Sequence, residues 1–547
     1  MGDGQWSSAV KTSKEQASKP CLTINKLQKY IRRLRGEMQM NRPSIKVIPV
    51  DDKGDVNMAE IYNGIIRQIE YLSNSSIAYD TAYNHATTGG VGFWRLLTEY
   101  VDDDSFDQEI RIERIINQFS VHFDPNAKKF NYEDAKYCFV EDLMEKAEYD
   151  AAYPDHPSAD FDGADEFDES TWMYEDKVRI AEYFYKEPTV VKKALLEDGE
   201  IIPLINGLTE ANLIEEGYNV VKTREVTEEK VMWCKVNGAG IIEGPIPWQG
   251  KYIPIIPVFG DEIINKGKKH YLSLIRGAKG SQEMYNYFST VMTESISQVP
   301  KTPFIIDSRQ IKGYENEWND ANVVSRPYIR YKHINNVPKP QREQPATIQT
   351  GILSMLQTAS YDIDDNLGQY DASKGASGNE RTGKAISLRI NQSDKGNYTY
   401  EDNLTRAIVY SGKQIIDLIP KIYDSTRSVL LMDESGENKV TDINKPELVA
   451  NPQTGQAETI VKNDLSVGRY DLIATAGASH GSRRQEMVQM IMEAMQYAPQ
   501  MATVLAPVLF EYSDGPGAKK ISDVLSKAMQ QMTPGEQGGT PPEGQLQ

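Results

Sequence analysis

The order of its long amphipathic segments constrains this chain most. In residues 268–299, Tyr271, Leu274, Ala278, Tyr285, Phe288, Met292 and Val299 recur at three- and four-residue steps. That period predicts a helix spanning roughly 45 Å at about 1.5 Å per residue. Pro300 and Pro303 end it. A second helix is expected over 346–370, where Ile348, Ile352, Met355, Ala359, Ile363 and Leu367 share a face. The intervening 300–345 segment carries five prolines before the boundary Pro345 and reads as a compact strand-and-loop insert. A Gly/Ser/Lys/Arg loop, Asp371–Gly383, leads into a third long helical stretch over 384–424, with Gly396 as its kink point. Helices with modest apolar faces in a chain of net charge −19 need partners to bury those faces. A symmetric ring of identical copies supplies them.

Composition narrows the function classes. A chain of 547 residues exceeds one packed core and predicts two to four lobes. A net charge of −19 and a pI near 5.0 lack the basic footprint of a protein that grips DNA tightly. The three cysteines, Cys21, Cys138 and Cys234, form no CxxC pair, so neither a disulfide scaffold nor a zinc ribbon is expected. No apolar run reaches about 18 residues, and no basic-then-apolar leader opens the chain. No membrane association, cofactor or metal is expected.

Elsewhere the pattern alternates between periods. A basic helix is expected over 27–40, a strand over 44–50, a long helix over 56–86 and a strand from Phe93. Residues 109–250 read as mostly β, with a helical interlude at 132–148. Strands are expected at 178–185, 189–196, 218–225 and 231–236, the last forming a hairpin across Asn237-Gly238. Twelve acidic residues against Lys146 alone mark 141–170 as a solvated acidic insertion. Its Asp160–Asp165 piece fails the calcium-loop pattern, because Gly163 comes too early and position twelve is Thr171. Strands return over 427–475. A methionine-rich helical region follows over 482–530, broken at Pro499 and Pro507, and then a Pro/Gly/Gln-rich tail.

Two motifs mimic catalysts. Gly378-Asn-Glu-Arg-Thr-Gly383-Lys384-Ala385 matches a P-loop except that Ala replaces the magnesium-binding hydroxyl. Gly477-Ala-Ser479-His-Gly481 fits a nucleophile elbow between a strand and a helix. The hydrolase order is serine, acid, then histidine. His480 is the last of six histidines, so that order cannot be completed. No enzyme activity is expected; a serine hydrolase built on Ser479 is the enzyme-class alternative.

Pro20-Cys-Leu-Thr-Ile-Asn25, Asn41–Val47, Gly90–Trp94, Phe123–Ala127, Arg179–Phe184, Ile256–Gly260, His270–Arg276 and Asn397–Asp402 follow one another in order, over roughly residues 5 to 480. In these stretches the chain resembles the portal proteins of short-tailed phages. The resemblance implies an α+β portal fold: a β-rich wing, a long-helix stem, a small α/β clip and a helical crown, assembled as a cyclic homododecamer. It assigns 1–265 to the wing, 266–299 to the stem helix, 300–345 to the clip and 346–370 to the second stem helix. Residues 371–384 become a tunnel loop, 385–424 a long wing helix, 425–475 further wing strands, 476–530 the crown and 531–547 a disordered tail. It also implies further chain ahead of Gln5-Trp6 and no long helical barrel past 530. The implied function is a conduit for double-stranded DNA, held without sequence specificity, at one capsid vertex of the virion. The implied partners are the terminase large subunit, head–tail adaptor and tail proteins, and the major capsid and scaffold proteins. The runner-up is another head–tail ring component. Lys374, Asn379, Arg381 and Lys384 of the tunnel loop would face DNA, with Lys268, Lys269, Arg276 and Lys279 as weaker candidates on the stem. In the clip, eight Lys/Arg against five acids reverse the chain's sign, and Arg309, Lys312, Arg326, Arg330 and Lys332 are expected to dock partners.

Overall fold

Alternating apolar and polar residues over long stretches build a large antiparallel sheet, and helices with one apolar stripe cover what it leaves open. The computed structural model describes residues 5–511 apart from 18, 41, 51–54, 158–171, 175, 198–200, 205–207, 216, 299–301, 345–349, 369–397, 433–437, 451–456, 476–479, 498, 500 and 501; beyond 511 it describes only residue 525. The described chain is a mixed α+β molecule that divides into two compact units.

One unit gathers residues 35–82, 93–257 and 404–547. Its seven-stranded sheet runs Ile241–Pro247, Val220–Val236, Lys177–Leu196, Tyr137–Glu145, Val121–Phe123, with Met173–Tyr174 and Ile201–Leu204 also on Lys177–Leu196. The four short strands expected between 178 and 236 are two long ones, of 20 and 17 residues, paired antiparallel from Ala181 with Val236 to Leu196 with Val220. Their far end is closed by a small core of Ala194, Leu196 and Leu213. The hairpin after Val236 is a four-residue turn, in which the Asn237 side chain accepts from the Ala239 and Gly240 N–H groups at 2.9 Å each.

Two helix expectations are corrected in this unit. Residues 132–148 are not helical: Tyr137–Glu145 is a strand, and only Lys146–Ala152 is a helix. Cys138 and Val140 point inward at alternate positions, and pairing with Lys177–Leu196 overrides local propensity. The expected 56–86 helix is two, Val56–Leu72 and Ser75–Gly89, split where Asn74 adopts φ 48°. Asparagine tolerates that left-handed conformation, and the neighbouring Ser73 hydroxyl accepts from the Ile112 N–H at 3.0 Å.

The centre of this unit is Trp94, fully buried on the strand Val91–Tyr100. Its ring meets Tyr79 edge-on at 4.9 Å, and its indole N–H donates to Ser411 Oγ at 3.1 Å on the helix Tyr398–Ile422. Of the 384–424 stretch, residues before 398 lie outside the described residues. The C-terminal strands form two hairpins, Arg427–Met432 with Asn438–Ile443 and Lys445–Ala450 with Ala457–Lys462, while Tyr470–Thr475 pairs with Ser44–Pro49. The helices His480–Tyr497 and Ala502–Glu511 follow. The break expected at Pro507 is absent. It sits inside the second helix, which forgoes one backbone bond and continues.

The other unit gathers residues 1–34, 83–92 and 258–403. Its main elements are the helix Leu274–Gln298, the helix Thr350–Asn366, the proline-rich insert between them, an N-terminal segment, and a hairpin of Asp261–Asn265 with Lys268–Leu272. The helix expected from 268 therefore starts six residues later. Lys268–Leu272 is a strand because Lys266 and Gly267, at φ 50° and 78°, make the tight turn that folds it back on Asp261–Asn265.

Candidate stem, clip and strap

The helix pair Leu274–Gln298 and Thr350–Asn366 packs through Ile275, Ala278, Ile363 and Leu367, and Leu27 and Tyr30 of the N-terminal segment complete the same core. Ala278 lets the backbones approach closely, and the aliphatic side chains fill the rest. Polar staples tie the N-terminal segment to the second helix: Tyr30 donates to the Asp364 carboxylate, and Lys26 Nζ to Ser360 Oγ at 2.5 Å.

Sequence reasoning missed how the N-terminal segment is held. Residues 22–26 run extended along the helix Leu274–Gln298. The N–H groups of Leu22, Ile24 and Lys26 donate to Thr290 Oγ1 (3.1 Å), Asn286 Oδ1 (2.9 Å) and Gln282 Oε1 (3.0 Å). The fit is metrical: two residues of extended chain advance about 6.6 Å and one step of four along a helix about 6 Å. Asn286 is 1% exposed and also donates to Gln5 Oε1, while Gln282 donates back to the Ile24 carbonyl at 2.7 Å. Farther out, Trp6 donates to the Leu22 carbonyl at 3.1 Å, and Lys19 pairs with Glu294 at 2.6 Å. Lys19, helped by Lys14, holds the Glu294 carboxyl below its ordinary range. The signal was visible: Gln282, Asn286 and Thr290 form a polar stripe at four-residue spacing on an otherwise amphipathic helix.

The structure places the expected stem cations unequally. Arg276 and Lys279 are exposed on the first turns of the helix and border a cavity of about 530 Å³ with Gln5, Asn25, Gln282 and Glu283. Lys268 and Lys269 are on the hairpin, not the helix.

The insert between the two helices, expected to be a clip, is a small folded piece. Phe304–Ile305 pairs with Gln341–Arg342, and the Trp318 ring meets Phe304 edge-on at 5.3 Å. Short helices Ser308–Ile311 and Glu315–Asn319 lie between, the first started by a capping box of Asp307 and Gln310. Three of the five cations expected to be offered to partners are already paired inside the clip. Arg309 forks onto Asp307 at 2.6 Å, Arg326 reaches Asp320 at 3.7 Å, and Arg330 holds Glu317. Arg309 pulls the Asp307 carboxyl down to about 2. Arg330 lies over the Tyr314 ring at 4.8 Å, and its carbonyl accepts from the Trp318 indole at 2.8 Å. Lys312 follows the first helix as its C-cap, and the Lys332 N–H donates to the Gln310 carbonyl at 2.8 Å. These pairs use three of the eight cations and three of the five acids, so the insert keeps its excess of positive charge.

The tunnel-loop residues Lys374, Asn379, Arg381 and Lys384 lie outside the described residues, as do the P-loop-like segment, Ser479, the Asp160–Asp165 piece and the tail. Cys138 and Cys234 are buried, and Cys21 partly so, all as free thiols. Among the described residues no three His, Cys, Asp or Glu side chains converge as a metal site would require, and no helix is long and apolar enough to cross a membrane.

Two long helices packed side by side and joined through a small folded insert are thus the central arrangement of this unit. The chain belongs to the phage P22-like portal protein family, which it matches over residues 1–547. It is 27% identical over 560 residues to the portal protein of Acyrthosiphon pisum secondary endosymbiont phage 1, covering 96% of this chain and 76% of that protein. Members of this family are structural components of the virion capsid that act as its portal and connect head to tail.

Proposed function

We propose that this chain is the subunit of a twelve-membered ring at one capsid vertex, through which double-stranded DNA enters during packaging and leaves during ejection. The observation that carries the reading is the family match along the full chain, joined to the helix–clip–helix arrangement between residues 274 and 366. In this reading 266–299 and 346–370 form the stem, 300–345 the clip and 371–384 a loop toward the channel. Residues 1–265, 385–424 and 425–475 form the wing, and 476–530 the crown. The clip docks the terminase large subunit and later the head–tail adaptor. With Arg309, Arg326 and Arg330 engaged at home, Lys312 and Lys332 are its better cationic contacts. Major capsid and scaffold proteins surround the ring.

Charge gives the proposed mechanism. Twelve copies at −19 each make a strongly acidic ring. Each phosphate that a protein neutralises adds affinity through counterion release, and tightly gripped DNA would not slide. An acidic wall with sparse cations at Lys374, Arg381 and Lys384, with Asn379 beside them, centres the duplex at low friction. Arg276 and Lys279 add to this on the stem, more weakly Lys268 and Lys269. Packaging work comes from a separate ATP-driven motor.

The test has two parts. Native mass spectrometry and negative-stain microscopy of the purified chain are expected to show twelvefold rings with an axial hole. A protein that stays monomeric with capsid and scaffold proteins present overturns the reading. Neutralising Lys374, Arg381 and Lys384 together is expected to leave assembly intact and disturb packaging or DNA retention; normal packaging refutes the loop assignment.

A further inference from the structure

The hairpin Asp261–Asn265/Lys268–Leu272 pairs with no other strand among the described residues. A two-stranded ribbon alone is marginal in water, yet the base of this one is fixed firmly. A Cβ on Gly260 would meet the Leu272 carbonyl oxygen at 2.2 Å, and one on Gly90 (φ +95°) would meet the Tyr271 carbonyl oxygen at 2.6 Å. Tyr271 stacks on Phe259 at 4.0 Å, and Tyr400 donates to Asp261 at 3.2 Å. From that base the ribbon projects with its whole first strand exposed, including Ile263 at 48% and Ile264 at 66%. Proteins usually blunt such edges, because unpaired strand edges recruit other strands.

The two strands are also opposite in charge. The first opens Asp261-Glu262, and the second opens Lys268-Lys269-His270. We infer that the acidic first strand of one copy pairs edge to edge with the basic second strand of the next, so that the hairpins join into a continuous sheet. The occupant of the open edge is a second copy of this chain.

Three physical points support the pairing. Hairpins pointing the same way around an axis bring a first strand beside a second strand running the other way, so the joint is antiparallel like the hairpin itself. A stagger of two residues at each joint sets Glu262 opposite Lys269 and Asp261 opposite His270. Because two is even, every side chain keeps its face. One residue of stagger per strand also gives a tilt of about 35°, as in closed barrels generally. The contact is head-to-tail, the kind that closes a ring when the rotation allows. With twelve copies, as proposed above, twenty-four strands at about 4.8 Å spacing close at a radius of roughly 22 Å and leave an open lumen.

This inference rests on the ring reading, and the experiment separates the two. Full-length Glu262→Cys and Lys269→Cys proteins, each in a Cys21→Ser background, are co-expressed, purified and oxidised. Ring formation is read by native mass spectrometry and cross-linking by non-reducing gel. A disulfide-linked dimer is expected from the mixture and from neither variant alone. The chain carrying both cysteines is expected to give a ladder of multimers. Glu262→Lys is expected to lose ring yield, and Glu262→Lys combined with Lys269→Glu to recover it. Rings without the mixed dimer overturn the hairpin contact and leave the ring standing. A parent protein that forms no ring overturns both.

Discussion

The side-chain ladder under the N-terminal strap can be tested at one rung, by Asn286→Leu. Asn286, itself 1% exposed, accepts the Ile24 N–H at 2.9 Å and donates to Gln5. Leucine fills a similar volume without accepting. The Ile24 N–H, now in a part-buried place facing leucine, is left without its partner at a cost of about 1–3 kcal/mol, or must leave. The added methyl groups offset up to about 1 kcal/mol. A net loss near 2 kcal/mol raises the opening constant of residues 5–26 roughly thirtyfold, at about 1.4 kcal/mol per factor of ten. Hydrogen exchange reads this directly. The Leu22 and Lys26 amides, whose own acceptors Thr290 and Gln282 are untouched, are expected to lose protection together by about that factor. Amides in the middle of the helix Leu274–Gln298 are expected to keep theirs. Parental protection at Leu22 and Lys26 would show that the rungs act singly and that the strap is held by something else.

Trp94→Ala is expected to cost about 3–5 kcal/mol in urea unfolding, because a fully buried indole leaves a cavity and strands the Ser411 hydroxyl. Burial pushes the Glu70 carboxyl above its ordinary range, against the pull of Tyr79, Arg42 and Arg67. The folded state therefore holds this proton more tightly than the unfolded one, and the benefit is lost as pH rises through the raised value. Glu70→Gln is expected to raise Tm by a few degrees at pH 8 and less at pH 4, by calorimetry; an equal shift at both would contradict the cause. Asp307 has the opposite sign. Its depressed carboxyl favours the folded clip above the ordinary aspartate range, and the contribution disappears only as pH falls toward about 2. Carbon-detected NMR should place its titration there, and Arg309→Gln should return it toward ordinary values.

The period-3.6 stripe of residues 274–298 and the proline-studded insert made the helix pair and the folded piece between its members legible, because burial against a helix partner writes itself into spacing. What failed was punctuation and competition. Asn74 ends a helix with no Gly or Pro to announce it, since asparagine reaches the left-handed region through its own side chain. Residues 137–145 carry charges at spacings a helix would tolerate, and only the neighbouring strand decides their form. Lys268–Leu272 follows a Lys-Gly turn that was visible, but the apolar period of the next helix drew the boundary past it. In the clip, net charge was readable while pairing was not: Arg330 and Glu317 are thirteen residues apart and meet only through the fold.

The strap also sets an order of events during synthesis. Lys26 finds its acceptor 256 residues downstream, and Gln5 meets Asn286 281 residues downstream. A ribosome must therefore read past Gln282 before residues 22–26 have anywhere to lie. Contacts of such separation form late and slow a chain's maturation. A translation product that stops short of Gln282 leaves residues 22–26 without their acceptors and open to proteases. Chains that acquire the strap have been read past residue 290, so the feature separates them from products that stop short of the helix.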